Sequence, residues 1–292
     1  MIHVFHHNDQ DGLGSAALVR RAFPKQAMRF ICCCYDVPLD SHLDSIDSND
    51  QVYIVDYSFK ESTVKELLGI IEKVGVDHVV WLDHHKSSAE LVKTHPDLLK
   101  LGGTVDLRFS GMALTWMFLQ GLPYSEESFQ KCPFCVRLVS DYDIWTKVYP
   151  ECDPFKMGMD THDLSVESEI WDKVLSDESC LLEVVNQGRT VKNFLKHYYA
   201  HKMQRYGFVT RFAGYDCLAI NIKDDSTVFG DSYTKYPLCV IFQTNGKGWF
   251  YTVYSSHSDI DCTAIAAQYG GGGHKYAAGF RTDELLDAFK CT

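Results

Sequence analysis

The feature that most constrains the fold is the alternation of short apolar runs with helical patterns over about the first 120 residues. Such alternation is typical of parallel strands joined by crossover helices. The runs predict strands at Ile2–His7, Arg29–Cys34, Gln51–Val55, His78–Leu82 and Val105–Leu107, with helices over Gly14–Phe23, over Glu61–Val74 and after the capping residue Ser110. The sequence therefore predicts an α/β fold class, with a doubly wound parallel sheet in the N-terminal domain.

Two prolines, Pro150 and Pro154, bracket a turn-rich stretch that marks the end of this domain. A helical linker follows, with a long helical pattern over Glu178–Tyr206. The remaining sequence is typical of a smaller α+β domain, with strands at Phe208–Phe212, Cys217–Ile222, Leu238–Gln243 and Trp249–Tyr254 and helices at Thr263–Tyr269 and Asp283–Phe289. We therefore divide the chain into an N-terminal domain (1–150), a helical linker (151–206) and a C-terminal domain (207–292).

The composition excludes several classes of protein. With 46% hydrophobic residues and a net charge of −11 over 292 residues, the chain can bury a core but repels long polyphosphate chains, which argues against a protein that wraps duplex nucleic acid. Small anionic substrates remain compatible with this charge, because bound metal ions reverse the local field. The N-terminus is too polar and histidine-rich for a signal peptide, and no run of about 18 apolar residues predicts a membrane helix.

The eleven cysteines do not indicate a disulfide framework, because they are odd in number and spread over a long chain. We therefore expect a cytoplasmic protein with reduced thiols and no membrane association. The motif Cys132-x-x-Cys135 has no partner pair, which favours helix packing over a metal or redox site. The run Cys32–Cys34 is interpreted as the end of a buried strand.

Three of the predicted strands end in side chains of the metal-binding type. The first leads into His7, Asp9 and Asp11, the third into Asp56 and the fourth into Asp83-His84-His85, and an acidic pair, Asp141 and Asp143, follows a later apolar run. The carboxyl ends of parallel strands lie along one edge of a sheet, so these residues are expected to converge. Taken singly, the segment Asn8–Gly12 could equally form a turn that caps the next helix. The joint occurrence at three strand ends favours a functional site.

Carboxylate-rich ligation with one or two imidazoles suits Mn²⁺ or Mg²⁺ better than it suits structural zinc, which favours thiolates. If the ligands are His7, Asp9, Asp11, Asp56, His84 and Asp141, four carboxylates contribute −4 and two divalent cations contribute +4. A neutral bimetallic site results, with one carboxylate free to bridge. Such a site can lower the pKa of a bound water and hold the oxygens of a phosphoryl displacement.

A glycine run stands out near the C-terminus, within the segment Tyr269–Phe280. Its four glycines, Gly270–Gly273, let backbone N–H groups approach an anion closely, and His274 and Lys275 add side-chain donors. A flexible hairpin or a helix C-cap is the alternative interpretation. The segment is a candidate anion-binding loop.

The chain resembles the DHH phosphoesterase superfamily over nearly its whole length. That family includes RecJ exonucleases, nano-RNases, cyclic di-adenylate phosphodiesterases and family II pyrophosphatases. The resemblance rests on the motif that gives the family its name, Asp83-His84-His85. The segment His7-x-Asp9-x-Asp11-Gly12 is similar to the first motif of the family, Asp56 to its second motif and Ser140-Asp141 to its fourth motif. The segment Gly271-Gly272-Gly273-His274, followed by Ala277-Ala278-Gly279, resembles the signature of the DHH-associated C-terminal domain.

The resemblance implies a catalytic, metal-binding domain at 1–150 and a substrate-binding domain at 207–292, with the substrate held between them. It implies two Mn²⁺ ions, for which Mg²⁺ or Co²⁺ can substitute. The first ion would be held by His7, Asp9 and Asp56, and the second by Asp11, Asp56, His84 and Asp141, so that Asp56 bridges.

The resemblance also implies roles for the remaining motif residues. Asp83 would orient His84, and His85 would face the scissile phosphate. These two, Asp83 and His85, are the expected catalytic residues beside the metal ligands. The loop of Gly271, Gly272 and Gly273, with His274 and Lys275, would bind the remaining phosphate or sugar of the substrate.

Two departures from the family pattern leave metal ligands open. Many relatives place the first histidine four residues before the first aspartate, whereas His7 precedes Asp9 by two, so His6 is a rival ligand. Asp143 likewise competes with Asp141.

A third departure concerns the substrate. Many phosphodiesterases of the family carry an arginine in the strand before the glycine run, and this chain has none there. We expect His257, Lys275 or Arg281 to take its place.

We expect a manganese-dependent phosphodiesterase that hydrolyses short single-stranded oligonucleotides, or other small phosphodiesters, to 5′-mononucleotides. A cyclic nucleotide or cyclic dinucleotide phosphodiesterase is the alternative within the same chemistry. A pyrophosphatase or polyphosphatase is disfavoured, because the chain lacks the Ser-Arg-Lys-Lys type of cluster that family II pyrophosphatases use. A catalytically inactive nucleotide-binding protein is disfavoured because every expected ligand type is present. The sequence leaves a homodimer open.

Overall fold

A computed structural model describes residues 1–33 and 40–290, and the chain divides into two compact units, Met1–Val191 and Lys192–Thr292. The first unit contains a five-stranded sheet. Its strands are β1 (Ile2–His7), β2 (Met28–Cys33), β3 (Gln51–Val55), β4 (Val79–Asp83) and β5 (Gly102–Val105). They are all parallel and lie in the order β2-β1-β3-β4-β5.

Helices join these strands or follow β5, and they cover both faces of the sheet. They are α1 (Gln10–Ala22), α2 (Asp40–Leu43), α3 (Val64–Val74), α4 (Lys86–Thr94), α5 (Gly111–Leu119), α6 (Glu126–Gln130), α7 (Phe134–Asp143), α8 (Cys152–Met159), α9 (Glu169–Ser176) and α10 (Glu178–Tyr206). Neighbouring strand residues enter different cores: Val4 joins the core that includes α1 and α5, and Phe5 joins the core that includes α3. This burial on both faces explains why the strands are continuous apolar runs.

The predicted doubly wound α/β fold is confirmed, and β1 and β3 have the predicted bounds. Helix α1 begins at Gln10, ahead of the predicted start at Gly14, because Asp9 caps it: Asp9 Oδ1 accepts the Gly12 N–H at 2.9 Å. Sequence reasoning did not predict α4, which carries few apolar residues.

Strand β5 ends at Val105 and does not extend over the predicted segment Val105–Leu107. The chain turns there because the Asp106 carboxylate accepts the Arg108 N–H at 3.0 Å. β2 and β4 are each shifted by one residue from their predicted bounds.

The cysteine pattern has a structural explanation. Cys132 and Cys135 are buried in the core, and burial raises the pKa of both thiols to about 12. Both thiols therefore stay protonated near neutral pH, in agreement with the packing interpretation of this motif. On β2, Cys33 is buried and Cys32 is exposed, and Cys34 lies outside the described residues.

The first unit extends to Val191, beyond the domain boundary predicted after residue 150. Within this unit α8 and α10 pack backbone against backbone at two glycines. A Cβ atom on Gly158 would overlap the Val184 carbonyl oxygen, and one on Gly188 would overlap the Pro154 carbonyl oxygen. The first part of the segment that the sequence assigns to a linker therefore belongs with the first sheet.

The second unit contains a six-stranded sheet. Its strands are β6 (Phe208–Phe212), β7 (Tyr215–Asn221), β8 (Leu238–Thr244), β9 (Trp249–Tyr254), β10 (Gly272–His274) and β11 (Ala277–Thr282). The order is β10-β11-β9-β8-β7-β6, and only β7 and β8 pair in parallel among these described strands. The helix predicted at Thr263–Tyr269 is present as α11 (Cys262–Ala267).

The helix predicted over Asp283–Phe289 is reduced to a single turn at Asp287–Phe289. The preceding residue, Leu286, donates its N–H to the Tyr251 hydroxyl at 3.0 Å, and Phe289 is buried among the aromatic rings of the second sheet. These contacts hold the segment against the sheet instead of letting it continue as a helix. No helix among the described residues has both the length and the apolar character needed to cross a membrane.

Replacement of Gly188 by alanine should lower the free energy of unfolding by about 3 kcal/mol, because the new methyl group overlaps backbone atoms of α8. Gly69→Ala is the matched control. Gly69 also lies within a helix, and its Cβ would meet the Leu43 side chain at an ordinary 3.5 Å. That variant should gain about 0.5–1 kcal/mol. Denaturant unfolding measures both, and equal stability of the two variants would contradict the packing of α8 on α10.

Candidate metal centre

The carboxyl edge of the first sheet brings together the acidic and histidine residues that follow its strands. The strand order reverses beside β1, so the ends of β1 and β3 flank the crevice where open α/β sheets bind ligands. Asp9 and Asp11 follow β1, Asp56 follows β3 and His84 follows β4. The structure contains the convergence that the three strand ends predict.

These residues form overlapping groups, in each of which one ligand atom per residue lies within 4.8 Å of the others. The groups are His7 with Asp9 and Asp56, Asp11 with His84 and Asp143, and Asp56 with His84 and His85. His84 Nε2 lies 3.2 Å from Asp56 Oδ1, 3.1 Å from Asp143 Oδ2 and 3.7 Å from Asp11 Oδ2. Because Asp56 and His84 are shared, the groups form one continuous centre.

Asp56 lies at the middle of this centre. Its backbone is in the left-handed region (φ 52°), and its N–H donates to the Leu82 carbonyl oxygen at 2.8 Å. Its Oδ2 is buried and has no hydrogen-bond partner among the described residues. Burial and the neighbouring Asp11 raise the pKa of Asp56 well above its usual range. A buried carboxylate oxygen without a donor is the position that a cation would satisfy.

Asp11 is held by the N-terminus of α5. Its Oδ2 accepts the Gly111 N–H at 2.7 Å, and its Oδ1 accepts the Met112 N–H at 2.9 Å. Gly111 permits this approach, since a Cβ there would lie 2.5 Å from the Asp56 Cβ. Sequence reasoning identified Ser110 as the cap of α5 but missed these two backbone donors. The glycine directly after the cap was the available signal.

The ionisation of the centre reflects an excess of negative charge. Burial and Asp143 raise the pKa of Asp11 to about 6. Burial alone would lower the pKa of His84, but the carboxylates of Asp143 and Asp56 outweigh it and raise that pKa to about 12. Burial would raise the pKa of Asp9, but hydrogen bonds from His7 and the Gly12 N–H lower it to about 2. The cluster therefore attracts positive charge.

The structure places Asp143 in the centre and Asp141 outside it, which reverses the predicted choice. Asp141 lies beneath the loop after α7. Its Oδ1 accepts hydrogen bonds from Thr146 Oγ1 at 2.5 Å and the Val148 N–H at 2.8 Å, and its Oδ2 accepts the Tyr149 N–H at 2.9 Å. Burial would raise the pKa of Asp141, but these hydrogen bonds lower it. Residues two apart on a helix point in different directions, so only one of the pair can face His84.

Of the two rival histidines, His7 lies in the centre and His6 does not. His7 Nδ1 is 2.7 Å from Asp9 Oδ2. His6 is buried, and its Nδ1 bonds to the His7 carbonyl oxygen at 2.8 Å. Successive residues of a strand point to opposite faces, so only one of the two can reach the carboxylates.

Asp83 contacts His85 and not His84, the residue that it was expected to orient. Asp83 Oδ1 lies 2.7 Å from His85 Nδ1. Asp83 ends β4, and residues two apart in an extended chain share a side, which explains the pairing with His85. Asp83 is fully buried, while the His85 side chain is 33% exposed. His85 is therefore an oriented imidazole with one edge open to solvent.

The glycine run lies in the second unit, where it forms the hairpin of β10 and β11. A Cβ on Gly271 would overlap the Gly279 carbonyl oxygen, and Gly273 has a φ of 147°. Both glycines are therefore required by the hairpin itself. Gly272 differs, because a Cβ there would meet no atom within 4 Å. His274 and Lys275 are exposed.

The three candidates for the missing arginine are also in the second unit. Arg281 donates to the Lys247 carbonyl oxygen at 2.8 Å and pairs with Asp283 at 3.4 Å. His257 is held through its backbone, since its N–H donates to Ser255 Oγ and its carbonyl oxygen accepts the Ile260 N–H, and the Lys275 ammonium lies 5.6 Å from the Tyr276 ring.

An open cavity of about 360 Å³ borders the metal-type cluster within the first unit. It is lined by the carboxylates Asp9, Asp11 and Asp143, by the polar residues Asn8, Gln10, Tyr142, Lys156 and Asp160, and by the apolar residues Leu13, Leu138, Val139, Phe155 and Leu164. Trp145 lies in the adjoining loop with a φ of 59°, is 72% exposed, and has its ring 6.1 Å from that of Tyr142.

Comparison with known proteins identifies relatives of the fold. No family model matches the sequence. An uncharacterized protein of Acanthamoeba polyphaga mimivirus is 24% identical over 297 residues, a match that covers 94% of this chain and 66% of that protein. The chain thus spans less than two thirds of that relative's length.

Two solved structures align with nearly the whole chain. The DHH domain of a member of the s1p family of ribosomal proteins aligns with 95% of this chain and 82% of its own, at 14% identity and a TM-score of 0.62. An exopolyphosphatase-related protein from Bacteroides fragilis aligns with 98% of this chain and 88% of its own, at 13% identity and a TM-score of 0.50. The chain has the DHH fold, as its motifs indicated.

Asp143→Asn should weaken Mn²⁺ binding by about 10- to 100-fold, because it removes a charged ligand from the centre. Asp141→Asn is the matched control. It should leave Mn²⁺ affinity unchanged but lower the free energy of unfolding by about 1–3 kcal/mol, since Asp141 holds the loop after α7. Calorimetric Mn²⁺ titration and denaturant unfolding separate the two effects. Native Mn²⁺ affinity in Asp143→Asn, with loss in Asp141→Asn, would restore the choice made from the sequence.

Proposed function

We propose that this chain, with its DHH fold, is a divalent-metal-dependent phosphodiesterase that hydrolyses short single-stranded oligonucleotides to 5′-mononucleotides, with manganese as the preferred metal. The observation that carries the proposal is the position of Asp56, a buried carboxylate shared by two groups of metal-ligand type. Its unsatisfied Oδ2 and the raised pKa of its carboxyl both mark a place for positive charge.

The donor set fits two divalent cations. One would be held by His7, Asp9 and Asp56, and the other by Asp11, Asp56, His84 and Asp143. Carboxylate oxygens outnumber imidazole nitrogens and no thiolate belongs to the described groups, which favours Mn²⁺ or Mg²⁺ over structural zinc. When bound, such cations activate a water molecule and neutralise the charge that develops on a phosphoryl group.

His85 is proposed to bond the scissile phosphate, with Asp83 as its positioning residue. The Asp83 carboxylate accepts a hydrogen bond from Nδ1 of His85, which fixes the ring and leaves Nε2 for the substrate. The partial exposure of His85 beside the centre supports this role.

The cavity beside the centre favours an organic phosphoester over an inorganic polyphosphate. Five apolar side chains contribute to its lining, which suits a sugar or base. Among the described residues that line it, Lys156 is the only cation, and its Nζ lies 2.5 Å from Asp160. A polyphosphate would need several cations there, so the exopolyphosphatase-related neighbour is a guide to the fold and not to the substrate.

We further propose that the hairpin residues Gly271–Gly273, His274 and Lys275 bind the part of the substrate remote from the scissile bond. Gly272 supports this role. A Cβ at this position would meet no atom within 4 Å and the residue is exposed, so a ligand can approach the backbone closely here.

Asp56→Asn should reduce turnover of a labelled dinucleotide by at least about 1000-fold, because it removes the shared carboxylate and with it several kcal/mol of metal-derived stabilisation. Asp97→Asn, which changes an exposed carboxylate on the same unit, is the control and should be fully active. Removal of metal with a chelator should abolish turnover, and Mn²⁺ should restore it. Chelator-resistant turnover, or an active Asp56→Asn variant, would contradict the proposed function.

Gly272→Ala should lower kcat/KM by about 10-fold or more, because a methyl group would keep a charged substrate oxygen away from the donors of the hairpin. Its free energy of unfolding should stay unchanged, since nothing lies near the new atom. Gly271→Ala provides the contrast and should unfold more easily, because its methyl group meets the Gly279 carbonyl oxygen. A Gly272→Ala variant with native kinetics would remove the hairpin from the substrate site.

A further inference from the structure

The second half of α10 presents a row of aromatic and basic side chains that the proposed active site does not use. Phe194, Tyr198, Lys202 and Tyr206 are spaced four residues apart, so they form one continuous row on the helix surface, about 18 Å long. We call these four residues the aromatic row. Its three rings are 63%, 40% and 50% exposed, in chain order.

The rings of the aromatic row lie against one another or against neighbouring cations. The rings of Phe194 and Tyr198 are stacked, with centroids 5.7 Å apart and planes inclined by 19°. The Lys202 ammonium lies 5.1 Å from the Tyr198 ring and 5.5 Å from the Tyr206 ring, and the Arg205 guanidinium lies 5.4 Å from the Tyr206 ring. Flat apolar faces and positive charge therefore alternate along the helix.

The aromatic row is not needed for the core of the second unit. A neighbouring stripe of α10, Leu195, Tyr199 and Met203, packs into that core, and the Tyr199 hydroxyl donates to Asp224. The burial of one stripe explains why α10 forms here, but it does not explain three large exposed rings.

This segment of α10 is basic, whereas the chain as a whole is acidic. Residues 192–206 contain four Lys or Arg residues and no Asp or Glu, although the chain carries −11 overall. No carboxylate of the described residues forms an ion pair with Lys196, Lys202 or Arg205, whereas Arg189, one turn before this segment, pairs with Glu151. The positive charge of Lys196, Lys202 and Arg205 is therefore available to an anion.

We propose that the aromatic row binds single-stranded nucleic acid, with bases on the ring faces and phosphates on the cations. Stacking platforms interleaved with cations are the physical basis of single-strand binding, and they are insensitive to sequence. A second copy of this chain is a poorer occupant, because two such segments would bring like charges together. The role of the bound strand rests on the proposed function. If the chain is a phosphodiesterase, the aromatic row binds the nucleotides by which a longer substrate exceeds a dinucleotide.

Fluorescence anisotropy of a labelled oligodeoxyadenylate dodecamer, measured with a chelator to prevent cleavage, tests the binding directly. Phe194→Ala and Tyr198→Ala should each weaken binding by about 10-fold. Lys202→Ala should reduce the slope of log affinity against log salt by about 0.7, since one phosphate contact is lost. Tyr215→Ala and Lys65→Ala change exposed residues on β7 and α3; they are the controls and should bind as the native chain does.

A cleavage assay separates this inference from the proposed function. Turnover of a dinucleotide by Phe194→Ala and Tyr198→Ala should be native, while kcat/KM for the dodecamer should fall as binding does. If the aromatic row binds the dodecamer but no substrate is cleaved, the binding proposal stands and the proposed phosphodiesterase activity is wrong. Native dodecamer binding by both variants would overturn this inference alone.

Two further outcomes would assign the aromatic row to a protein partner and overturn the proposal. One is competition by polyglutamate as strong as that of the dodecamer. The other is a dimer in sedimentation that Tyr198→Ala dissociates. Far-UV circular dichroism and thermal unfolding show that each variant keeps the native fold.

Discussion

The close packing of like charges at one sheet edge is the constraint on which the first unit depends. Asp9, Asp11, Asp56 and Asp143 lie within a few ångströms of His84 or His7, and two of them, Asp11 and Asp56, are buried away from water. Carboxylates at such separations repel strongly in a poorly polarisable interior. The fold meets part of this cost with fixed donors, above all the N-terminus of α5 at Asp11. The raised pKa of Asp56 and its unsatisfied oxygen show that protein donors alone do not complete the centre. Divalent cations would complete it.

Much of the first unit could be predicted from the sequence because its strands are buried on both faces. Each strand is then a short apolar run, and the polar residues that follow it must lie at the same edge. That reasoning located His7, Asp9, Asp11, Asp56 and His84 without knowledge of a single distance. The boundary of the unit could not be located in the same way. It depends on Gly158 and Gly188, which allow α8 and α10 to meet backbone to backbone, and isolated glycines in a helical pattern do not show which partner they approach.

The errors within the site have a common cause, which is side-chain direction. Asp141 and Asp143 are both aspartates near the end of α7, and the sequence does not distinguish them. The rotation of α7 decides that Asp143 faces His84 while Asp141 holds the next loop. Asp83 and His85 pair because the chain stays extended past the end of β4, which a motif of three adjacent residues does not reveal. In the hairpin of β10 and β11, the four glycines look alike in the sequence. The structure distinguishes Gly272, which has space around it, from neighbours that the backbone requires.

We propose that Asp56 is shared by two cations at this edge. Anomalous diffraction from crystals of the protein grown with Mn²⁺ tests it most directly, since the signal locates manganese without reference to activity. Two peaks are expected, one contacted by His7, Asp9 and Asp56 and the other by Asp11, Asp56, His84 and Asp143. A single peak that does not touch Asp56, or a peak that is contacted by Asp141, would contradict it.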